Sequence, residues 1–446
     1  MPSCPDQQNP SRSAGRARVS RALVGLLMPF PLWALAQAQP VCTPDPLPKG
    51  VAIAIGGALK NDNTEVWQRI VQEAGGAGSR FVVFATASGN PQRNGERIVG
   101  VLNAAGARAE MVPVHPSVKE SSWEAVRDDP AWIAKVEAAQ GVFFGGGAQE
   151  LIVRALKPEG RETAMLQAVR QVQARGGVVA GTSAGAAIQS EWMFRDAQDA
   201  LAVLKGRLRE GKEIDRGLGF AGKDLFIDQH FLKRGRIARL LPVMHRQGYR
   251  FGLGVEENSA ALIRGSHIEV IGARGALLVD LAEAKVQAQP FSLQGGVLTY
   301  LDRGDRHELR CNRTTPAAAK LAGTLLDHQA ADFKPNFKRS SYPADMLGDN
   351  TIVNAMGQLL DSPDLELRGL AFNLRAQING QPLSGDGGAD PDPSLGFEFR
   401  LYKAADTRGQ FTGAWGGEDY SVQRMRLDVT PIRLRQPLYE VIRETR

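Results

Sequence analysis

Three cysteines in 446 residues are too few for a disulfide-dense scaffold or a four-cysteine zinc site. Histidine is nearly as scarce, with six in the chain. Neither a Walker A loop nor an H-E-x-x-H pair occurs, which removes the phosphate-loop and zinc-peptidase classes that those motifs serve. There is no solenoid period and no heptad run. Only one stretch is apolar enough to concern a membrane, and it lies near the N-terminus. The formal charge of +6 is modest, and residues 1–38 hold half of it: Arg12, Arg16, Arg18 and Arg21 against Asp6. The remainder carries +3, a nearly balanced surface and not a nucleic-acid footprint.

What is present suits a packed core. Hydrophobic residues make up 43% and charged residues 23%, which excludes global disorder. Four arginines precede the apolar run Ala22–Met28, which continues through Trp33 and closes on Ala34-Leu35-Ala36-Gln37-Ala38. Charged start, short apolar middle and small-residue end predict a secretory signal over 1–38, cut after Ala36 or Ala38. Pro29 and Pro31 and the shortness of the run argue against a stable membrane anchor. Export leaves Cys42 and Cys311 as the mature cysteines. Pairing and free thiols both remain open.

Apolar runs then alternate with helical patterns. Strands are expected at 51–57, 80–86, 109–114, 141–146 and 177–182, and helices near 63–77, 91–105, 148–156 and 161–175. Continuously apolar strands separated by helices predict a doubly wound α/β domain, its mostly parallel sheet covered by helices on both faces. Further strands near 224–231, 252–256, 259–264, 267–272 and 275–281, with a basic helix near 235–247, extend that domain to 39–319 with an antiparallel edge. Residues 320–446 read as a smaller, β-rich C-terminal extension of unknown role. It contains a Gly/Pro/Asp loop at 379–393.

Gly181-Thr182-Ser183-Ala184-Gly185 follows one apolar strand and opens a helix. Such a turn exposes a serine hydroxyl at the positive end of the helix dipole. A phosphate loop or a plain turn is the competing reading. A serine needs a base, and His230 alone among the histidines ends a buried-type strand, where open α/β sheets gather their reactive groups. An orienting acid is then required. Glu256 and Glu257 end another strand, and alternation lets at most one of them face His230. Gly145-Gly146-Gly147-Ala148-Gln149 forms a third strand-to-helix junction able to offer amides to an oxyanion. Arg234, Arg236 and Arg239 follow His230. They read either as a solvated face or as a carboxylate-gripping pocket.

GTSAGA at 181–186, DQHFLKRGRIARL at 228–240, GGGAQ at 145–149 and GVEE at 254–257 together resemble the cyanophycinases over roughly 50–300. These are serine peptidases in a family that also contains aspartyl dipeptidase, with a fold similar to class I glutamine amidotransferases. The resemblance implies Ser183 as nucleophile, His230 as base and Glu257 as its acid. It implies a substrate site lined by Gln149, Asp228, Gln229, Arg234, Arg236 and Arg239. The turns suggest Gly146, Gly147 and Ala184 as oxyanion donors. The implied substrate is cyanophycin, a poly-aspartate backbone with arginine amide-linked to each side chain, and the implied product is the β-aspartyl-arginine dipeptide. No metal or organic cofactor is expected, and self-association as a homodimer is left open. An aspartyl or isoaspartyl dipeptidase is the alternative enzyme. A non-catalytic secreted binding protein is the alternative outside catalysis.

Overall fold

The first strand, β1 (Val51–Ile55), is buried at all five positions. A parallel strand covered on both faces admits no polar side chain, and VAIAI has none. In this computed structural model, which describes residues 42–43, 46–119, 122–373, 390, 392–414, 419–435 and 438, there follow α1 (Thr64–Glu73), β2 (Arg80–Phe84), α2 (Pro91–Ala104), β3 (Arg108–Val112), α3 (Trp123–Asp128), α4 (Pro130–Ala138), β4 (Gly141–Phe144), α5 (Gln149–Leu156), α6 (Ala164–Ala174) and β5 (Val178–Thr182). The secretory-signal reading of 1–38 lies outside the described residues.

Local chemistry sets these boundaries. The side chains of Asn63, Asn90 and Thr163 each accept the amide three residues on, capping α1, α2 and α6. Pro91 occupies the first turn of α2, where no amide is needed. The five strands pair in parallel in the order β1-β5-β4-β2-β3, with Ile55 opposite Thr182. Helices cover both faces. Trp67 and Ile70 of α1 and Ile98 and Leu102 of α2 pack with Val51, Ile53 and Ile55. Val136, Ile152, Leu166 and Val169 of α4, α5 and α6 pack with Ala52, Ala54, Phe84 and Phe144.

Beyond β5 come α7 (Ala184–Ala187), β6 (Trp192–Phe194), α8 (Ala200–Leu204), β7 (Ile214–Arg216), β8 (Leu225–Gln229), α9 (Ile237–Gln247), β9 (Phe251–Val255), β10 (Ser259–Arg264), β11 (His267–Gly272), β12 (Ala276–Asp280), β13 (Lys285–Ala288), β14 (Phe291–Leu301), β15 (Arg306–Glu308) and β16 (Arg313–Thr315). The first sheet continues past β1 through β10, β11, β15 and β16, all antiparallel. This is the expected antiparallel edge. However, β8, β9 and β12 do not join that sheet. They start a second one, in which β8 and β9 are parallel and β12 and β14 antiparallel. Leu225, Ile227, Leu253, Val255 and Leu278 face the core shared with α7, whereas Phe226, Leu277 and Val279 face α9.

The C-terminal region is β-rich as expected, but it is built into that second sheet. It comprises α10 (Ala318–Leu321), β17 (Thr324–Leu326), α11 (Thr351–Leu360), β18 (Glu366–Ala371), β19 (Leu395–Tyr402), β20 (Arg408–Phe411) and β21 (Ser421–Arg433). Strand β21 pairs with β14 on one side and with β19 and β20 on the other. The apolar face of α11, with Ile352, Met356 and Leu359, closes the same core as α9. The described residues from 43 onward therefore form one compact unit. Most of the Gly/Pro/Asp loop lies outside the described residues. Cys42 and Cys311 are both disulfide-bonded. No helix among the described residues is long and apolar enough to cross a membrane.

Candidate active site

Five strands from the two sheets end at one place. Gly56 and Gly57 follow β1, Gly146 and Gly147 follow β4, Ser183 follows β5, His230 follows β8 and Glu257 follows β9. All five are carboxyl ends of strands with a parallel neighbour, where reactive groups of open α/β sheets gather.

The Ser183 amide continues the parallel ladder, donating to Ile55 O at 3.0 Å. The chain then turns sharply into α7, with Ser183 at φ 53°, ψ −108°. Non-glycine residues seldom occupy this region, at a cost of about 1–3 kcal/mol. The turn brings Ser183 Oγ to 2.9 Å from His230 Nε2. His230 also has a positive φ, 49°, and its amide donates to Gly56 O at 2.6 Å. Its Nδ1 lies 2.5 Å from Glu257 Oε1. A carboxylate accepts there, so the ring carries its proton on Nδ1 and leaves Nε2 to accept from the serine.

The two adjacent glutamates divide as strand alternation requires. Glu257 reaches the imidazole, while Glu256 is buried and accepts the Leu232 and Lys233 amides at 2.6 and 3.0 Å. Burial raises the Glu256 carboxyl above its usual range, and those amides oppose the shift.

Burial also lowers the His230 imidazole below its ordinary value, with Glu257 opposing and the Arg234 and Arg236 charges assisting. Neutral imidazole is the form able to take a proton, and it persists above the pKa. A lowered pKa therefore moves the acid limb down. The acid limb of kcat/KM is expected below pH 6.5, the ordinary imidazole value. A pH–rate profile checks this, and a limb above 6.5 would contradict the assignment of His230.

Gly146 lies against the serine: a Cβ placed there would sit 3.2 Å from Ser183 Cβ. Among the described residues the amides of Gly146, Gly147 and Ala184 donate to no protein acceptor. Gly57 was not singled out from the sequence. Its φ is +100°, and a Cβ would collide with the His230 ring, so only glycine admits the imidazole there. The available signal was the Gly56-Gly57 pair closing an apolar strand. Asn258 backs the same turn, donating its amide to Gly57 O at 2.8 Å and receiving Asn63 Nδ2 at its own carbonyl.

Two arginines of the string have partners within the chain. Arg239 is almost fully buried and forks onto Asp228, with Nε to Oδ2 at 2.8 Å and Nη2 to Oδ1 at 2.5 Å. Its Nη1 donates to Ala197 O, and its guanidinium lies 4.1 Å from the Phe194 ring centre. Arg236 is also buried, donating to Gln229 O at 2.5 Å and lying 3.6 Å from Asp228. Burial, with Arg239 next, brings the Arg236 pKa down to about 9. The chain thus supplies its own carboxylate to two of the three arginines, and they do not form an open pocket. Arg234 is exposed. Gln149 is engaged too: its Nε2 donates to Phe194 O and Arg195 O at 2.6 and 2.8 Å. Gln229 is buried, and its Oε1 has no hydrogen-bond partner among the described residues. Arg234 and Gln229 are the substrate candidates left least engaged.

Removing one member of a buried pair strands the other charge, typically at about 3–5 kcal/mol. Arg239→Met should therefore lower stability by about 3 kcal/mol, since Arg236 only partly compensates Asp228. Adding Asp228→Asn should restore part of the loss. Denaturant unfolding of the single and double variants checks both expectations.

A cavity of about 310 Å³, lined by Leu262, His267, Ile268 and His307 among others, lies on the antiparallel edge and includes none of these residues.

The sequence pattern of peptidase family S51 matches residues 52–271. A cyanophycinase from Geminocystis herdmanii is 28% identical over 272 residues, covering 58% of this chain and 94% of the relative. One from Trichormus variabilis is 27% identical over 286 residues, covering 61% and 90%. A crystal structure of a peptidase from an acI-B1 actinobacterium is 16% identical with a TM-score of 0.42, covering 60% of this chain and 95% of that one. Residues 52–271, which hold the serine, the histidine and both glutamates, match peptidase family S51, and with these relatives they support a cyanophycinase-like peptidase.

Proposed function

We propose that this peptidase is an exported serine-type exopeptidase that hydrolyses cyanophycin to β-aspartyl-arginine dipeptides. The observation that carries the reading is the hydrogen-bonded series Ser183, His230, Glu257, set at strand ends beside amides without an acceptor.

His230 Nε2 takes the hydroxyl proton as Ser183 Oγ bonds to the backbone carbonyl carbon. The carbonyl oxygen becomes an oxyanion, and the Gly146, Gly147 and Ala184 amides are placed to receive it. Glu257 holds the ring in the accepting tautomer and stabilises the imidazolium. The imidazolium returns its proton to the departing amine, leaving an acyl-enzyme. Water, deprotonated by the same histidine, releases the acyl group and restores the serine.

The substrate reading is supported by the cyanophycinases among the relatives. It is supported also by Arg234, an exposed cation four residues from the base, suited to an aspartyl carboxylate. Export is read from the arginine-led apolar segment of 1–38, and it would let the enzyme meet a polymer too large to import.

Incubating the mature protein with insoluble cyanophycin tests the substrate. Clearing with release of the arginine-bearing dipeptide is the expected result. Rapid cleavage of aspartyl or isoaspartyl dipeptides with cyanophycin left intact would replace it with the dipeptidase reading.

A further inference from the structure

The turn that follows β8 carries His230 and Arg234, and it is held from two sides. On one side stands Glu256, whose Oε2 takes the Leu232 and Lys233 amides. On the other stands a segment outside the family region, Leu347–Asn350, just before α11. Its fit to the turn is close. Gly235 has φ +56°, and a Cβ there would collide with the Leu347 carbonyl oxygen. The Asn350 amide donates to Leu232 O at 3.2 Å. The Lys233 ammonium pairs with Asp349. The Leu347 side chain packs against the core that includes Phe231, Leu232 and Ile237.

His230 gives this packing a consequence. Its φ of 49° lies in the left-handed region that residues with a Cβ seldom adopt, and such conformations persist where the surroundings over-determine them. The hydrogen bond from the His230 amide to Gly56 O fixes the start of the turn. The bonds from the Arg234 amide to His230 O and from the Arg236 amide to Phe231 O close it on itself. The first of these ties His230 to the strand end that also holds the Ser183 amide through Ile55 O, but neither holds the turn beyond Arg236. Contacts to Glu256 and to 347–350 hold Leu232, Lys233 and Gly235 from outside the turn.

We infer that Leu347–Asn350 is a positioning element of the active site, holding His230 and Arg234 at their working distance from Ser183. The inference rests on the reading of Ser183 and His230 as nucleophile and base. It gives part of the C-terminal region a role in catalysis that the family region alone does not contain.

The test reads the serine–histidine pair without any peptide: the rate of covalent labelling by a fluorophosphonate, followed against pH. A wrong substrate assignment leaves this comparison intact. Gly235→Ala pushes the turn off Leu347 and should slow labelling at least tenfold, with the acid limb displaced, in a protein whose melting transition remains cooperative. Asn350 has φ +56°, and its side chain makes no capping bond. Asn350→Ala strains that backbone and should slow labelling several-fold, whereas Asn350→Gly, free to adopt the same φ, should label at the wild-type rate. If Gly235→Ala does not fold, the Asn350 pair decides. Wild-type labelling rates and an unchanged pH profile in Asn350→Ala and in folded Gly235→Ala would overturn the inference.

Discussion

Ser183→Ala is expected to remove hydrolysis almost entirely, by roughly 10³-fold or more in kcat, because a nucleophile and its base act as a unit. The fold should survive. Only the hydroxyl is lost, and the backbone at φ 53°, ψ −108° is as strained for alanine as for serine. That strain gives a second observable. Ser183→Gly should be equally inactive but more stable than Ser183→Ala, by about 1 kcal/mol, since glycine occupies positive φ without the Cβ penalty. The position would then trade stability for an exposed hydroxyl. Steady-state turnover and thermal melting of the three proteins decide it. Near-normal turnover in Ser183→Ala would end the serine mechanism. A glycine variant no more stable than the alanine one would mean the turn is not strained.

The parts of this fold that the sequence reveals are those governed by local pattern. Runs such as Val51–Ile55 and Val178–Thr182 are apolar at every position because both faces are covered, and that can be read directly. The helices between them declare themselves by period and by caps such as Asn90-Pro91. Strand partnership is different. Phe251–Val255 is as continuously apolar and buried as Val51–Ile55, yet it pairs with Leu225–Gln229 and Ala276–Asp280 in the second sheet. Nothing within five residues encodes that choice. The C-terminal region shows the same limit. Ser421–Arg433 alternates visibly, but its partner Phe291–Leu301 lies more than a hundred residues earlier.

The candidate site divides in the same way. Ser183, His230 and Glu257 are legible because each ends a recognisable strand, and strand ends are where such groups meet. The arginines are not. Two cations one helical turn apart look the same in sequence whether they face a ligand or a buried Asp228. Only the structure shows Arg239 at 2% exposure with Asp228 at 1%. Gly57 and Gly235 were passed over for a related reason. Each is needed for what approaches it, the His230 ring in one case and Leu347 in the other, and both approaches are long-range.

Glu257→Gln should lower kcat by roughly 10²–10⁴-fold, the scale set by loss of the orienting carboxylate in serine–histidine–acid triads. Two effects combine. The carboxamide cannot neutralise the imidazolium that forms when Ser183 gives up its proton. It can also turn its NH₂ toward Nδ1, which favours the tautomer with Nε2 protonated, and that tautomer cannot accept from the hydroxyl. Glu256→Gln should act differently. A carboxamide oxygen still receives the Leu232 and Lys233 amides, so the turn keeps its hold and turnover falls far less, leaving Glu257→Gln at least about tenfold the slower of the two. The pH profile adds a signed check. Glu257 raises the His230 pKa against the larger lowering by burial. Removing its charge takes away the opposing effect, so the pKa falls further and the residual activity of Glu257→Gln should keep its acid limb at lower pH than wild type. Measuring kcat and kcat/KM against pH for both variants separates the glutamates. Equal and small losses would remove Glu257 from the triad, and an acid limb moving upward in Glu257→Gln would show that its carboxylate does not act on His230.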